Sequence, residues 1–232
     1  MKINQYDNSK TLFYISGMFA GSWIWDETHP QIPNARHLLV DDALCNIGGN
    51  IEEISEKLIE VINELDTPVT LVGNSLGSLI ALNIASKIGD KVEGVIISGS
   101  AGFGEVDLGI TLDRHNPQGM ADKLINLVCY DKDRVSDKAL TKTAVSFDKN
   151  FRNIVRLIRE SNSASAGDIM DKIKCPVHAI WGTDDIITPL DETVPVLERF
   201  GISPITISEC GHSPMFERPD EFAAIINETL AA

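Results

Sequence analysis

The chain has 232 residues, which suits one domain large enough to bury a substantial core. Its hydrophobic fraction of 43% and charged fraction of 23% are ordinary for a soluble globular protein, and no apolar run approaches the ~20 residues of a membrane helix. The net charge of −14 repels phosphate backbones and anionic lipid surfaces, so we expect neither nucleic acid nor a membrane as a partner.

The first forty residues predict two strands with a glycine-containing turn between them. Residues 1–7 hold no apolar signal-peptide core, so we expect a cytoplasmic location. The apolar runs at residues 10–16 and 36–41 are typical of buried strands. Backbone N–H groups in the turn at residues 17–25 can face a ligand, and an ordinary turn that packs two tryptophans into the core is the alternative.

An amphipathic helix and a short strand come next. Asn50 and Glu53 stand as N-cap and N3 residues ahead of an apolar stripe that runs to Leu65, and acidic residues fill the opposite face. Residues 68–72 are β-branched and apolar, so they predict a strand, and residues 78–87 predict a further helix.

The connection between that strand and that helix has the pattern of a nucleophile elbow, Gly73-Asn74-Ser75-Leu76-Gly77. Ser75 would stand at the tip of a strained turn with its hydroxyl exposed, and the two glycines would let strand and helix approach each other. The start of the helix would aim free N–H groups at an anion. The bare pattern arises by chance in roughly one chain in ten of this length, so its meaning depends on this strand–turn–helix context.

The second half of the chain interrupts and then resumes the strand rhythm. Residues 92–98 predict a strand, whereas the stretch 101–174 contains only helical patterns, at 120–130, 137–147 and 151–161. Two more strands are predicted at 175–181 and 204–208, and a last helix at about 219–230. We therefore predict an α/β fold with a mostly parallel, doubly wound sheet, a core of residues 1–100 and 175–232, and a helical lid inserted at 101–174.

A serine hydroxyl needs a base and an orienting carboxylate to become a nucleophile, and the late loops offer both. Asp185 and His212 each follow a predicted strand, as Ser75 does, so all three belong at the carboxyl edge of the sheet. The order Ser, Asp, His is that of a hydrolase triad.

The rival candidates have less suitable positions. His178 lies inside a predicted strand and is typical of a satisfied core residue. Three further histidines precede or interrupt the sheet, namely His29, His37 and His115. The Asp184-Asp185 pair also allows the simpler interpretation of a turn without a catalytic role.

These motifs resemble the α/β-hydrolase superfamily over nearly the whole chain. The matching stretches lie at residues 17–25, 72–77, 175–189 and 211–214. The resemblance implies that Ser75 is the nucleophile, Asp185 the acid and His212 the base. It also implies that the backbone N–H groups of Met18 and Leu76 form an oxyanion hole.

Two details of the resemblance differ between branches of the superfamily. The stretch around Trp23 is similar to small methylesterases and hydroxynitrile lyases, whereas Asn74 before the serine is similar to carbon–carbon bond hydrolases; both residues are candidates for binding substrate. The family usually has His-Gly where this chain has Ser16-Gly17, and the loop after Asp41 lacks the usual glycine-rich signature.

We therefore expect a cofactor-free serine hydrolase, a monomer or homodimer, that cleaves a small or medium, largely apolar carboxylic ester or related acyl compound. Cleavage or lysis of a carbon–carbon bond by the same triad is one alternative, and a ligand-binding receptor with little turnover is another. The four cysteines are far apart and form no C-x-x-C pair, so the sequence indicates no metal site.

Overall fold

One twisted sheet positions every candidate residue. The computed structural model describes residues 2–4, 10–104 and 109–231. In these residues the sheet has seven strands: β1 (Lys2–Asn4), β2 (Thr11–Ile15), β3 (Arg36–Leu39), β4 (Val69–Asn74), β5 (Val92–Ser98), β6 (Val177–Gly182) and β7 (Ile205–Ile207). Their order is β1-β3-β2-β4-β5-β6-β7; β1 pairs antiparallel with β3, and the other neighbours are parallel.

Helices cover both faces of the sheet. They are α1 (Leu44–Ile47), α2 (Ile51–Asn63), α3 (Leu76–Lys87), α4 (Pro117–Val128), α5 (Asp137–Ser163), α6 (Ala166–Met170), α7 (Leu190–Glu198), α8 (Pro214–Glu217) and α9 (Pro219–Ala231). The Asn50 side chain caps α2 by accepting a hydrogen bond from the N–H of Glu53 (2.8 Å), as the sequence predicts.

The central strands are mostly apolar because both faces of the sheet are covered. In β2, Phe13 and Ile15 belong to the core that packs under α2 and α3. Leu12 and Tyr14 point to the opposite core, which is closed by Trp25 and by α9. A strand buried on both sides loses the alternating pattern and appears as a continuous apolar run.

The predicted fold class is confirmed: the sheet is mostly parallel and doubly wound, and six predicted strands are present. Five elements escaped prediction: β1, α1, α6, α7 and α8. Lys2–Asn4 is too short to show a pattern, and Pro195 lies inside α7, where proline normally argues against a helix. The predicted helices at 137–147 and 151–161 join into α5, with a kink at Asn150 (φ −122°, ψ 23°).

Between β5 and β6, the described residues form α4, α5 and α6 and no strand. These helices pack on the core as well as on each other: Phe147, Ile154 and Leu157 are buried in the same apolar cluster as the residues of α3. The boundaries 101 and 174 of the lid stay a prediction.

Candidate active site

Ser75 occupies a strained turn between β4 and α3. Its backbone angles are φ 57° and ψ −126°, a combination that non-glycine residues rarely adopt and that costs of the order of 1–3 kcal/mol. Backbone hydrogen bonds hold the turn. The shortest two join the N–H of Ser75 to the Ser98 carbonyl at the end of β5 (2.8 Å) and the N–H of Ser78 to the Ser75 carbonyl (3.0 Å). The surrounding sheet and helix thus fix the conformation that the elbow pattern predicts.

The two glycines of the elbow are required by close contacts. A Cβ added to Gly73 would lie 2.5 Å from the Cα of Ser78, so this glycine lets β4 and α3 pass each other. A Cβ on Gly77 would overlap the carbonyl oxygens of Ile15 and Ser16. Gly77 therefore brings α3 against the end of β2 and the turn that follows it.

His212 and Asp185 face each other in the loops after β7 and β6. The Nδ1 atom of His212 lies 2.9 Å from Oδ2 and 3.1 Å from Oδ1 of Asp185, and both side chains are nearly fully buried. Because the carboxylate accepts, the proton of the neutral imidazole belongs on Nδ1, which leaves the lone pair on Nε2.

Asp185 is also held by the loop that carries it. Its Oδ1 accepts from the N–H groups of Ile187 (2.9 Å) and Thr188 (3.0 Å), and its Oδ2 accepts from the Thr188 hydroxyl (2.7 Å). Burial alone would raise the pKa of this carboxyl, but His212 and the Thr188 donors outweigh it and hold the pKa below its ordinary value. Asp185 therefore stays ionised at neutral pH.

The neighbouring Asp184 is exposed and plays a different part. Its carboxylate accepts a hydrogen bond from the Thr183 hydroxyl (2.7 Å) on the surface of the turn. The structure thus places Asp185, and not Asp184, against His212.

The two backbone N–H groups that the sequence predicts for an oxyanion hole lie in the turns around Ser75. Within the described part of the chain, the N–H groups of Met18 and Leu76 donate to no other group. A Cβ added to Gly17 would lie 3.3 Å from the Cβ of Ser75, so the turn after β2 runs directly beside the elbow.

Ser16 fixes that turn where the family usually has histidine. Its hydroxyl accepts a hydrogen bond from the indole Nε1–H of Trp25 (2.9 Å) and donates one to the Gly21 carbonyl (2.9 Å). The Ser16 side chain is buried and hydrogen-bonded both as donor and as acceptor, so these bonds hold the turn although serine replaces the usual histidine.

One cavity of about 140 Å³ is lined by Ser75, His212, Met18 and Leu76. Apolar side chains from α4 and α5 supply much of the rest of its lining, including Leu124, Ile125, Val128 and Ile158. No Asp, Glu, Lys or Arg is among the described residues that line it. The cavity therefore fits an uncharged, mostly apolar group.

Comparison with known proteins decides the family. The model of the alpha/beta hydrolase family matches residues 12–225. The chain belongs to this family. No helix among residues 2–4, 10–104 and 109–231 of this α/β-hydrolase is long and apolar enough to cross a membrane. In the same ranges no group of three or more His, Cys, Asp or Glu residues is arranged to hold a metal ion.

Relatives of this α/β-hydrolase include both a dienoate hydrolase and a methyl ester esterase. It is 25% identical over 168 residues to 2-hydroxy-6-oxo-6-phenylhexa-2,4-dienoate hydrolase of Comamonas testosteroni, and this alignment covers 66% of this chain and 59% of the relative. It is 24% identical over 249 aligned positions to pimeloyl-[acyl-carrier protein] methyl ester esterase of Neisseria meningitidis. That alignment covers 96% of this chain and 77% of the relative. The chain spans about three fifths of the length of the first of these relatives.

Solved structures have the same fold. An esterase from Exiguobacterium antarcticum superposes with a TM-score of 0.80 at 16% identity, covering 99% of this α/β-hydrolase and 95% of that chain.

The two candidate substrate-binding residues have different surroundings in this α/β-hydrolase. Trp23 lines the cavity and packs edge-on against Phe216. Asn74 also lines it, but its side-chain amide donates to the carbonyl of His212 (3.0 Å) and more weakly to that of Ser98 (3.4 Å). The amide of Asn74 is thus engaged in joining the elbow to the histidine loop.

The sequence did not indicate two residues that the structure brings to the site, Thr188 and Glu217. Thr188 follows Asp185 by three residues, a spacing at which the two side chains can form a hydrogen bond within a turn, so this contact could have been predicted from the sequence. Glu217 is one of 34 acidic residues, and nothing in its sequence context distinguishes it from those on the surface.

Proposed function

We propose that this chain is a serine hydrolase that cleaves small or medium, largely apolar carboxylic esters through an acyl-enzyme on Ser75. The observation that carries the proposal is that His212, which is paired with the buried Asp185, lines the same apolar cavity as the strained Ser75 turn. In the proposed mechanism no step uses a metal or cofactor.

Acylation follows from the positions of these groups. The Oγ of Ser75 attacks the ester carbonyl carbon while its proton passes to Nε2 of His212. The negative charge that develops on the carbonyl oxygen is stabilised by the N–H groups of Met18 and Leu76. The tetrahedral intermediate then collapses, the ester C–O bond breaks, and His212 returns the proton to the leaving alcohol.

Deacylation repeats the sequence with water as the nucleophile. Water gives a proton to His212 as it attacks the acyl carbonyl carbon. His212 then passes that proton to the Oγ of Ser75 as the acyl C–Oγ bond breaks, which releases the acid and the free serine. Throughout, Asp185 holds Nδ1–H and stabilises the imidazolium that forms transiently. Residues 101–174 act as the lid in this proposal, because α4 and α5 supply much of the lining of the cavity that contains Ser75.

The lining favours an ester over the dienoates in the relatives' names. A dienoate carries a carboxylate, which costs several kcal/mol to bury without a counter-ion, and none is among the described residues that line the cavity. The cavity volume is close to the ~150 Å³ of an engineered cavity that binds benzene, so we expect an acyl group of roughly six carbon atoms.

A matched substrate panel tests the proposal. We expect the kcat/KM for ethyl hexanoate to be at least about 100-fold higher than that for the monoethyl ester of adipic acid, in which a carboxylate replaces the terminal methyl group. Ser75→Ala should lower kcat by at least about 10³-fold, and Ser86→Ala, a control on the far part of α3, should leave it within about twofold.

Two results would favour the alternatives. Faster turnover of an anionic dienoate than of any ester would favour carbon–carbon bond cleavage by the same triad. Ligand binding that survives Ser75→Ala, with no turnover by the parent protein, would favour a receptor.

A further inference from the structure

Glu217 is a buried carboxylate that the proposed mechanism does not use. It is the last residue of α8, five residues after His212, and its side chain is fully buried. Among the described residues, no lysine, arginine or histidine forms an ion pair with it. A carboxylate buried without a cation is costly unless strong hydrogen bonds satisfy both oxygens.

Three backbone N–H groups provide those hydrogen bonds, and they come from two separate parts of the chain. Oε1 accepts from the N–H of Gly211 (2.9 Å), which directly precedes His212. Oε2 accepts from the N–H groups of Tyr130 (2.6 Å) and Asp131 (3.1 Å), just beyond the end of α4. One carboxylate therefore joins the histidine loop to the segment that closes the cavity.

Other contacts run along the same seam. The N–H of His212 donates to the carbonyl of Val128 (2.9 Å), and Val128 and Cys129 both line the cavity. A Cβ added to Gly211 would lie 2.7 Å from the Val128 carbonyl oxygen, so the two segments touch there. From the opposite side, Asn74 holds the His212 carbonyl.

From these contacts we infer that Glu217 is a positioning residue, which holds the backbone of His212 in register with the cavity wall at residues 128–131. The inference rests on the proposed function, because it assigns to His212 the role of base. Glu217 acts through the backbone of Gly211 and touches no reacting atom. Since one carboxylate binds both segments, movement of the wall is transmitted to the base.

Glutamine cannot reproduce this arrangement, which makes Glu217→Gln an informative variant. An amide has one acceptor oxygen, and that oxygen can serve either Gly211 or the pair formed by Tyr130 and Asp131. When the amide oxygen faces the N–H groups of Tyr130 and Asp131, two donors are satisfied and only the N–H of Gly211 is left unpaired, so we expect this orientation. The variant then keeps the wall bonded and releases the histidine loop. Glu209→Gln is the matched control, since Glu209 lies on the same loop with an exposed side chain.

The first measurement is site-resolved amide hydrogen exchange, which does not depend on turnover. In the parent protein we expect the amides of Gly211, His212, Tyr130 and Asp131 to open together, with similar protection. Glu217→Gln should speed exchange at residues 211–212 by about tenfold while the amides of β4 and α3 stay protected; Glu209→Gln should change neither.

Kinetics on one ester supply the second measurement. We expect Glu217→Gln to lower kcat by about tenfold or more with a smaller change in KM, and Glu209→Gln to stay within about twofold. Unchanged kcat in a folded variant would overturn the inference, and so would faster exchange spread evenly over the whole sheet. If Glu217→Gln does not fold, separate opening of the two segments in the parent protein would overturn it. If the parent hydrolyses no ester, the proposed function fails, and the exchange pattern alone decides whether Glu217 joins the two segments.

Discussion

Replacing Asp185 by asparagine should disable the base by changing its tautomer. The carboxylate accepts two backbone N–H groups on Oδ1, and the Thr188 hydroxyl and His212 on Oδ2. If the amide NH₂ faced the backbone donors, two buried N–H groups would lose their acceptor at about 1–3 kcal/mol each. The NH₂ therefore turns to the other side, where the hydroxyl can rotate and Nδ1 of His212 can accept.

That orientation has a direct kinetic consequence. An imidazole that accepts on Nδ1 carries its proton on Nε2, so it can no longer take the proton of Ser75. In a serine protease with the same three side chains, the equivalent change lowers kcat about 10⁴-fold, which corresponds to about 5.5 kcal/mol in the activation free energy. We expect a loss of about 10³ to 10⁴ in kcat for Asp185→Asn.

Asp184→Asn is the matched control, because Asp184 is exposed and bonded to the Thr183 hydroxyl. We expect it to lose about tenfold or less in kcat. Both variants should be assayed on the same ester after each has been shown to melt cooperatively. The reverse ranking would transfer the role to Asp184, and two mild effects would mean that Asp185 does not orient the base.

Three more predictions follow from particular contacts. Ser16→Ala removes both side-chain hydrogen bonds of Ser16 in the turn that carries Met18, so kcat should fall about tenfold with little change in KM. The control Ser22→Ala loses only a surface hydrogen bond to Asp41 and should not lower kcat. The pKa of Asp185 is lowered in the folded state, so its carboxylate stabilises the fold above pH ~4, and this contribution is lost as the pH falls through the pKa of the folded state. In urea unfolding, the difference in unfolding free energy between the parent protein and Asp185→Asn should therefore become smaller from pH 7 to pH 3. Leu124→Trp fills part of the cavity wall, so kcat/KM should drop more for hexanoate than for acetate esters, and an equal drop for both would argue against this wall as the acyl site.

Most of the sheet was predictable because its strands are short apolar runs separated by clear helix patterns. The strand pattern at residues 10–16 and the elbow pattern at 73–77 predict the elements that lie next to Ser75. β1 was missed because three residues cannot show a pattern, and α7 because Pro195 lies within it. The sequence predicted two helices at 137–147 and 151–161, and the structure joins them into α5 with a kink at Asn150.

Local motifs indicated the candidate site, whereas its supporting contacts depend on tertiary structure. Asp185 and His212 follow strands, and parallel strands bring their carboxyl ends together, so the pairing was predictable. The link from Asn74 to the His212 carbonyl spans 138 residues, and the bond from Glu217 to Tyr130 spans 87. No local pattern distinguishes a buried glutamate that satisfies distant N–H groups from one on the surface.

Labelling with a small serine-directed phosphonate tests the central claim most directly. The strained turn exposes the hydroxyl of Ser75, and His212 can remove its proton, so Ser75 should react while the other serines do not. Intact mass should show one added phosphonyl group, and peptide mapping should place it on Ser75. The His212→Ala variant should react far more slowly. A label on another residue, or none on the folded parent protein, would contradict the assignment of Ser75 as the nucleophile.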